Sequence, residues 1–427
     1  MPAVLEATRV VARAAARRET PARLRLWITV VVLTAVALLA VTSLLMARVQ
    51  EQVRIIGDDA APQAATAADL YFALSDMDAQ VARLVLSTGN DALANSQIDA
   101  LGAYRERGRQ VDSDLQTLMA SGVGGLDLMD GLATYRERVW QALTAGGGAA
   151  GYYTQATNVL HLDLLPEAER LRTLSEERLD RAYATKQTTQ MWAVALVVLL
   201  GLALMVVLIA LQVWLTRRFR RLLNPALIAA TLLTVALVVP AVAVLAGQER
   251  RLGAARDDSL RPFLALSSAR AVSYDAAADT SRYLISDRLA FYKQDFDRKA
   301  GFLDGPSGLP SAAAGPDVSP YGTDQVLARW RAYRAAHERI VTLADQGREA
   351  SAIGYLTGIR RGDAVFDFSY YDAAVAEIAS DRKAAFDDAL RVSSQLLSGW
   401  TWFPVVVLGV VILLVPLSVR RRFAEYR

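Results

Sequence analysis

Two acid–base pairs with the same spacing are the best candidates for ligand chemistry in this 427-residue sequence. Asp76 precedes Arg83 by seven positions, and Asp275 precedes Arg282 by the same interval. Seven residues make about two helical turns, so both side chains of a pair would share one helix face. An arginine fork suits a carboxylate and an aspartate suits an ammonium group. Each pair therefore predicts a site for an amino acid or a small dicarboxylate, the alternative being ordinary charges that are solvated or paired between helices.

A second set of candidates consists of arginines in two short clusters beside apolar runs. The set is Arg217, Arg218, Arg220, Arg221, Arg420, Arg421 and Arg422. Guanidinium groups grip carboxylates at two points, which suits a specific contact with a protein partner. The same charges would also fix membrane orientation and attract anionic lipid, so both interpretations stay open.

The sequence carries no motif for catalysis or for binding a cofactor. It has no cysteine, and its two histidines, His161 and His337, lie in no metal-ligand spacing. It contains no phosphate-binding loop, nucleophile elbow or kinase signature. Arg361-Gly362-Asp363 matches an adhesion tripeptide, but such a short match is more typical of a turn at a helix end. We therefore predict a protein that is not an enzyme and that holds no cofactor and no metal.

Four apolar runs would position these residues. The chain is 53% hydrophobic with a mean hydropathy of +0.23, which is more apolar than an ordinary soluble protein. The runs at 26–47, 191–215, 225–246 and 398–419 reach or approach the roughly 20 residues needed to cross a bilayer. They contain no Asp, Glu, Lys or Arg, which argues against a pump or a coupled transporter. Four transmembrane helices are predicted.

The arginine-rich short segments predict the orientation of these helices. Residues 1–25, 216–224 and 420–427 are basic and short, so we expect all three to lie in the cytoplasm. The larger segments 48–190 and 247–397 would then lie outside, in a multi-pass protein of the cell membrane with both termini inside. The net charge of +3 is small and is concentrated at the membrane edges, which gives no indication of nucleic-acid binding.

Both outer segments show helical periodicity interrupted by glycine-rich breaks, so each predicts a four-helix bundle. A shift of 199 positions places Asp76 on Asp275 and Arg83 on Arg282. A shift of 198 places Tyr135-Arg136 on Tyr333-Arg334. The order and the nearly constant offset favour a tandem duplication of crossing, bundle and crossing. The predicted fold is an all-α membrane protein with four transmembrane helices and two tandemly duplicated extracytoplasmic four-helix bundles.

This layout resembles two kinds of bacterial membrane protein. A crossing, an outer four-helix bundle and a return crossing are similar to the sensor half of chemotaxis receptors and sensor kinases. The Arg-rich amino terminus, the bundles at 48–190 and 247–397, the hairpin at 217–221 and the tail at 420–422 look closer to the GlnX-type proteins of actinobacteria. That resemblance implies an outer amino-acid-binding lipoprotein and a cytosolic serine/threonine kinase as partners.

The cytoplasmic segments are shorter than the roughly 40–50 residues that a domain usually needs. Whatever the chain does outside would then either be passed to another protein inside or stay outside. We predict the first, a non-enzymatic transducer of an extracytoplasmic nutrient signal, in particular an amino-acid signal. The alternatives are a scaffold or accessory subunit of an envelope complex, and a receptor that binds a small molecule directly. Formation of a homo-oligomer is left open.

Overall fold

The structure, a computed structural model, describes residues 2–122, 124–219, 225–314 and 321–424. These residues are almost entirely helical and contain no strand, as predicted. The chain divides into two compact units. The membrane unit comprises Met1–Arg54, Tyr183–Leu252 and Leu390–Arg427, and the bundle unit comprises Ile55–Ala182 and Gly253–Ala389.

We number the α-helices in chain order. In the first half they are α1 (Pro2–Arg54), α2 (Ala61–Ser87), α3 (Ala94–Ala120), α4 (Leu126–Thr144), α5 (Ala149–Val159) and α6 (Leu165–Phe219). In the second half they are α7 (Pro225–Ala255), α8 (Arg261–Ile285), α9 (Ala290–Asp304), α10 (Leu309–Ala312), α11 (Thr323–Asp345), α12 (Glu349–Thr357), α13 (Ala364–Ser398) and α14 (Phe403–Ala424).

The four predicted crossings correspond to four candidate membrane spans. Among the described residues, four helical runs are long and apolar enough to span a bilayer, namely Arg25–Ser87, Gly146–Arg217, Pro225–Ile285 and Ala364–Leu417, and each lies partly in the membrane unit. Their buried faces form one apolar core, whose members include Leu38, Leu208, Leu237 and Leu408. Other large apolar side chains of the same helices, such as Leu199, are exposed, as expected for surfaces that contact lipid. The composition thus gives a multi-pass membrane protein, while the orientation of its termini stays a prediction.

Polar contacts join the membrane-unit helices beyond the apolar core. Gln52 on α1 donates to the Thr189 hydroxyl on α6 at 2.8 Å. On the same helix, Gln190 donates to the Leu245 carbonyl of α7 at 2.5 Å. Lys186 forms an ion pair of 2.5 Å with Glu249. Because each contact joins residues from two helices, together they link α6 to both α1 and α7.

Glycine-rich breaks separate the helices of the bundle unit where the sequence predicts them. Gly89, Gly122, Gly146 and Gly347 all have a positive φ, between 54° and 81°, in the turns that follow α2, α3, α4 and α11. Glycine adopts this backbone conformation without the steric penalty that other residues carry. A further break at 358–363, between α12 and α13, was not predicted. It contains the Arg361-Gly362-Asp363 tripeptide, which is a turn as expected.

Three π-helical segments interrupt the longest helical runs, each just before a proline. Ile55–Ala60, Leu160–Leu164 and Arg256–Leu260 precede Pro62, Pro166 and Pro262 respectively. Proline has no amide hydrogen, so the carbonyl four residues before it loses its usual donor. For Pro262 that carbonyl belongs to Asp258, and Arg382 donates to it at 3.1 Å instead. The irregularity expected at Pro166 is therefore one of three equivalent features.

The two bundles pack together as one unit through α2 and α8. Both helices are rich in alanine and are buried along most of their length. Phe72 and Ala79 on α2 form an apolar cluster with Ala271, Tyr274 and Ala278 on α8. Small side chains allow two helices to approach closely, so this interface follows from the composition of the two helices. Sequence periodicity predicted both bundles but not their association.

Candidate functional site

Among the described residues, the most deeply buried cation of the bundle unit is Arg282, on α8. Its side chain is only 1% exposed and contacts three carboxylates. Its guanidinium lies 2.6 Å from the Asp78 carboxylate of α2, 2.9 Å from that of Asp275 and 2.5 Å from that of Asp279. Because Asp78 belongs to the first bundle and Arg282 to the second, this ion pair joins the two bundles.

A second cation completes the cluster from α9. Lys299 lies 2.6 Å from Asp275, 2.5 Å from Asp279 and 2.9 Å from Asp295. We call the six residues Asp78, Asp275, Asp279, Asp295, Arg282 and Lys299 the charge network. Four carboxylates thus surround two cations, which is a satisfied arrangement rather than an empty site.

Tyrosines of the first bundle complete the coordination of Asp78. The Tyr135 hydroxyl donates to one carboxylate oxygen at 3.0 Å, and the Tyr153 hydroxyl donates to the other at 3.2 Å. Arg282 in turn donates to the Tyr153 oxygen at 3.4 Å. Helices α2, α4, α5 and α8 therefore meet around Asp78.

The two acids on α8 respond differently to this environment. Burial alone would raise the pKa of Asp275, but Lys299 and Arg282 outweigh it and hold this pKa well below its ordinary value. For Asp279 burial prevails over the same two cations and raises its pKa to about 6. Burial alone would lower the pKa of Arg282, but Tyr153 and the surrounding carboxylates outweigh it and hold this pKa well above its ordinary value.

The equivalent pair of the first bundle is arranged differently. Asp76 is 2% exposed and its carboxylate contacts the guanidinium of Arg107, from α3. Gln80 donates to the other oxygen of Asp76 at 2.7 Å and accepts from Arg83 at 3.1 Å. An amide thus separates Asp76 from Arg83, whereas Asp275 and Arg282 contact each other directly. Burial raises the pKa of Asp76 despite Arg107.

Arg83 is the cation that the surrounding structure leaves incompletely bound. Its Nε group is buried without a hydrogen-bond partner, and it forms no ion pair with a carboxylate among the described residues. Burial lowers the pKa of Arg83, and Asp76 only partly offsets this effect. A buried N–H group without an acceptor typically costs about 1–3 kcal/mol, so this group has an unmet preference for an acceptor.

Arg83 lines a cavity of about 90 Å³ within the bundle unit. The remaining lining residues come from α2, α8, α11, α12 and α13. They are Ala79, Gln80, Tyr274, Ala277, Ser281, Tyr333, Leu356, Ala364, Val365, Phe368 and Ser369. Of the predicted ligand residues, Arg83 alone reaches this space, while Asp76, Asp275 and Arg282 are held by internal partners. The four residues therefore do not form two equivalent sites, and their direct binding of ligand stays a prediction.

The structure describes only some of the predicted partner-binding arginines. Arg217 lies exposed near the end of α6. Arg220 and Arg221 lie outside the described residues, as do the side chains of Arg218, Arg420, Arg421 and Arg422. Their role toward a cytosolic partner stays a prediction.

Both histidines lie in the bundle unit, and each contacts a protein side chain. His161 lies 3.4 Å from Asp275 at the edge of the charge network. His337 stacks on Phe296 and its Nδ1 lies 2.8 Å from the Thr280 hydroxyl. Among the residues described, no cluster of three or more His, Asp or Glu has the geometry to hold a metal ion.

The sequence did not single out Asp78, Asp279 and Lys299. Asp279 precedes Arg282 by three residues on α8, a spacing that favours an ion pair on one helix. Asp78 offered no comparable signal, because Ala277 occupies the position 199 residues further on. The search for repeated charges therefore found two of the six residues of the network, Asp275 and Arg282, and missed the residue that links the bundles.

Comparison with known families places the first bundle in context. Residues 52–184 match the family model described as actinobacterial sensor domain. No curated protein and no solved structure matches the chain. The match begins in α1, covers all four helical segments of the first bundle and ends in α6. It supports an actinobacterial sensor protein with a sensing or signalling role, which is the coarser part of the resemblance drawn from the layout.

Proposed function

We propose that this protein is a non-enzymatic transmembrane signal transducer of the GlnX type. In this proposal it receives an extracytoplasmic nutrient signal, in particular an amino-acid signal carried by a solute-binding lipoprotein. It passes that signal to a cytosolic partner such as a serine/threonine kinase. The observation that carries the proposal is that the sensor-domain match begins and ends in α1 and α6, the helices that contain the first two candidate membrane spans.

The arrangement of the bundle unit supports a mechanism for such a signal. One helical run, Arg25–Ser87, contains both a candidate span and α2. The same α2 carries Asp78 and packs on α8. A partner or ligand that favours one packing of α2 on α8 would bias the helices that lead to the membrane. Coupling energies of about 1–3 kcal/mol suffice for this kind of transmission.

The cytosolic side of the proposal rests on the arginine clusters. Arg217 to Arg221 and Arg420 to Arg422 are the most strongly basic groups that follow a candidate span. Lysine preserves the charge of arginine but loses its planar two-point grip on carboxylates. Exchange of arginine for lysine in these clusters therefore separates a specific protein contact from simple attraction to lipid.

The test is crosslinking in intact cells followed by affinity purification of the full-length protein. We expect partners from both sides of the membrane, including a solute-binding lipoprotein and a cytosolic kinase. In a variant with Arg217, Arg218, Arg220 and Arg221 all changed to lysine, capture of the cytosolic partner should fall while membrane insertion is unchanged.

The readout of signalling is phosphorylation of cytosolic proteins after an amino-acid shift. Deletion of the gene should abolish the response, and the wild-type chain should restore it. If deletion changes no phosphorylation and crosslinking captures only envelope proteins, the transducer proposal is wrong and the protein is a scaffold.

A further inference from the structure

Arg83 and Arg282, which the shift of 199 positions places in equivalent positions, have opposite surroundings. Arg282 is surrounded by Asp78, Asp275 and Asp279, so its hydrogen-bonding groups face protein acceptors. Arg83 occupies the equivalent position by sequence shift, but among the described residues its side chain donates a hydrogen bond only to the Gln80 amide oxygen. Its Nε group is buried and lacks an acceptor among the described residues. The bundle unit thus buries one fully neutralised guanidinium and one that borders open space.

That open space has the polarity of a site for a small anion. Arg83 is the only charged residue among the described residues that line the cavity. A second donor is available from Ser281, whose hydroxyl makes no hydrogen bond with the described part of the chain. By contrast, the Tyr274 hydroxyl donates to Asp372 at 3.0 Å and the Ser369 hydroxyl donates to the Val365 carbonyl. A guanidinium with one free hydroxyl matches a single carboxylate group.

The rest of the lining indicates what the carboxylate would be attached to. Leu356, Val365 and Phe368 supply an apolar wall, together with Ala79, Ala277 and Ala364. None of the described residues that line the cavity is a carboxylate, so the ammonium group of an amino acid would be buried there without a counter-charge from them, which is unfavourable. A volume of about 90 Å³ corresponds to roughly six to nine water molecules at ~10–15 Å³ each. The cavity therefore suits a short chain bearing one carboxylate.

We propose that the cavity lined by Arg83, Ser281 and Phe368 binds a small monocarboxylate, with the carboxylate on Arg83 and a short apolar tail against Phe368. This site differs in ligand class from the amino-acid signal proposed for the whole protein. Its use as a sensory input rests on the proposed signalling function, whereas binding itself does not. The cavity lies between α2, α8, α11, α12 and α13, so an occupant would contact both bundles.

The test measures binding to the full-length protein in lipid nanodiscs by isothermal titration and by thermal stabilisation. The probes are sodium butyrate and sodium isovalerate. Butyramide and isovaleramide serve as uncharged matches, and leucine and glutamate serve as amino acids. We expect saturable binding of the two carboxylates and none of the amides. Leucine should bind more weakly than isovalerate, since it adds an ammonium group to the same branched chain.

Two variants examine the site from different directions. Arg83→Gln removes the charge and should weaken isovalerate binding about tenfold or more, because a charge-assisted hydrogen bond is lost. Ala277→Leu keeps the guanidinium but fills the cavity, and it should block binding while the protein stays folded. Arg105→Gln is the matched control, since Arg105 lies exposed on α3 and outside the cavity lining. Its affinity should equal that of the wild type.

The possible results distinguish failure of the carboxylate site from failure of the signalling function. Absence of carboxylate binding, or equal binding by Arg83→Gln and wild type, would overturn the site and leave signalling through a lipoprotein intact. Tighter binding of leucine or glutamate than of isovalerate would overturn the monocarboxylate class. Binding that meets the expectations but leaves cytosolic phosphorylation unchanged would support the site and refute its use as a sensory input.

Discussion

Replacement of Arg282 by methionine removes the cation that links the two bundles. Methionine preserves an unbranched side chain of similar length, so the change removes charge and hydrogen bonds more than volume. Asp78, which is 0% exposed, would lose its only ion-pair partner among the described residues. Asp275 and Asp279 would keep Lys299, at 2.6 Å and 2.5 Å.

The expected loss of stability follows from these contacts. Removal of one partner from a buried ion pair typically costs about 3–5 kcal/mol, because the remaining charge stays buried without compensation. Tyr135 and Tyr153 would still donate to Asp78 and partly stabilise it, which favours the lower end of that range. For a unit of this size, about 1 kcal/mol shifts the melting temperature by ~2–4 °C. At the lower end, about 3 kcal/mol, Arg282→Met should therefore lower the melting temperature by roughly 6–12 °C.

The shift of 199 positions supplies a matched control at Arg83. Arg83→Met removes a cation at the equivalent position, but Arg83 has no carboxylate partner among the described residues and carries a buried N–H group without an acceptor. Its loss should change stability by less than about 1 kcal/mol. Both variants would be measured in the full-length protein in the same nanodiscs by intrinsic fluorescence, at one scan rate.

A double-mutant cycle tests the specific link between the bundles. Addition of Asp78→Asn to Arg282→Met removes the uncompensated carboxylate while it retains an oxygen for the tyrosine hydroxyls. Part of the lost stability should return, with a coupling energy of about 0.5–3 kcal/mol. Equal melting temperatures for Arg282→Met and Arg83→Met, or a double variant that is as unstable as the sum of its single changes, would refute this account of the network.

Three further predictions concern other parts of the chain. A Cβ atom at Gly201 would lie 2.6 Å from the Val238 side chain, so Gly201→Ala should destabilise the packing of α6 on α7. Addition of Val238→Ala to the same chain should restore the melting temperature, measured in nanodiscs. A double variant as unstable as Gly201→Ala would contradict this close approach. The pKa of His337 is lowered to about 3 by burial and by the charges of Lys293 and Arg334, so the contribution of this residue is present above its unfolded pKa of about 6.5 and is lost as the pH falls towards 3. His337→Gln should therefore reduce the stability lost between pH 7 and pH 5 by roughly 2 kcal/mol, and an unchanged pH profile would refute this assignment. Gln248 is buried in the membrane unit with neither side-chain polar atom hydrogen-bonded to the described residues, so Gln248→Met should leave the melting temperature unchanged or raise it, and a large decrease would show a partner for that amide.

Much of the fold could be predicted because its signals are local. A span such as 225–246 requires a continuous apolar run, and a turn such as that at Gly89 requires a positive φ, so each leaves a mark at its own position. The break at 358–363 was missed because its preceding segment, Glu349–Thr357, continues the helical periodicity up to the turn. Local patterns thus predicted the helices and most of their ends.

The packing of the two bundles could not be predicted in the same way. Burial of α2 and α8 on several faces depends on a partner more than a hundred residues away in the sequence. Asp78 illustrates the difficulty, because its contact with Arg282 spans 204 positions and follows no local spacing. The alanines of both helices were visible in the sequence, but an alanine-rich helix is equally consistent with good helix propensity. Composition alone does not separate these explanations.

The roles of Arg83 and Arg282 in the candidate site could not be predicted from the sequence either. Equal residue types at repeated positions suggested equal roles for Arg83 and Arg282, since a sequence shift compares identities and not surroundings. The environment of each arginine depends on residues that the shift does not match. Asp78 contacts Arg282, and Gln80 lies between Asp76 and Arg83. The two arginines therefore differ in their contacts because their neighbours differ.

This difference has a consequence for how the two bundles could respond to a ligand. Arg282 contacts Asp78 across the α2–α8 interface. Arg83 and Gln80 follow Asp78 by five and two residues on α2, and both line the cavity. Tyr274 and Ser281 line the same cavity from α8. A ligand shifts an equilibrium only by its difference in affinity between two states. An occupant of the cavity would therefore have to change the separation of α2 and α8 in order to act. The Arg282–Asp78 ion pair opposes that change, because partial withdrawal of either group leaves a charge buried without its partner. The ion pair that resists a change in the α2–α8 separation thus lies within a few residues of the cavity whose occupant would favour that change. The balance between the free energy of the ion pair and that of ligand binding would set the response.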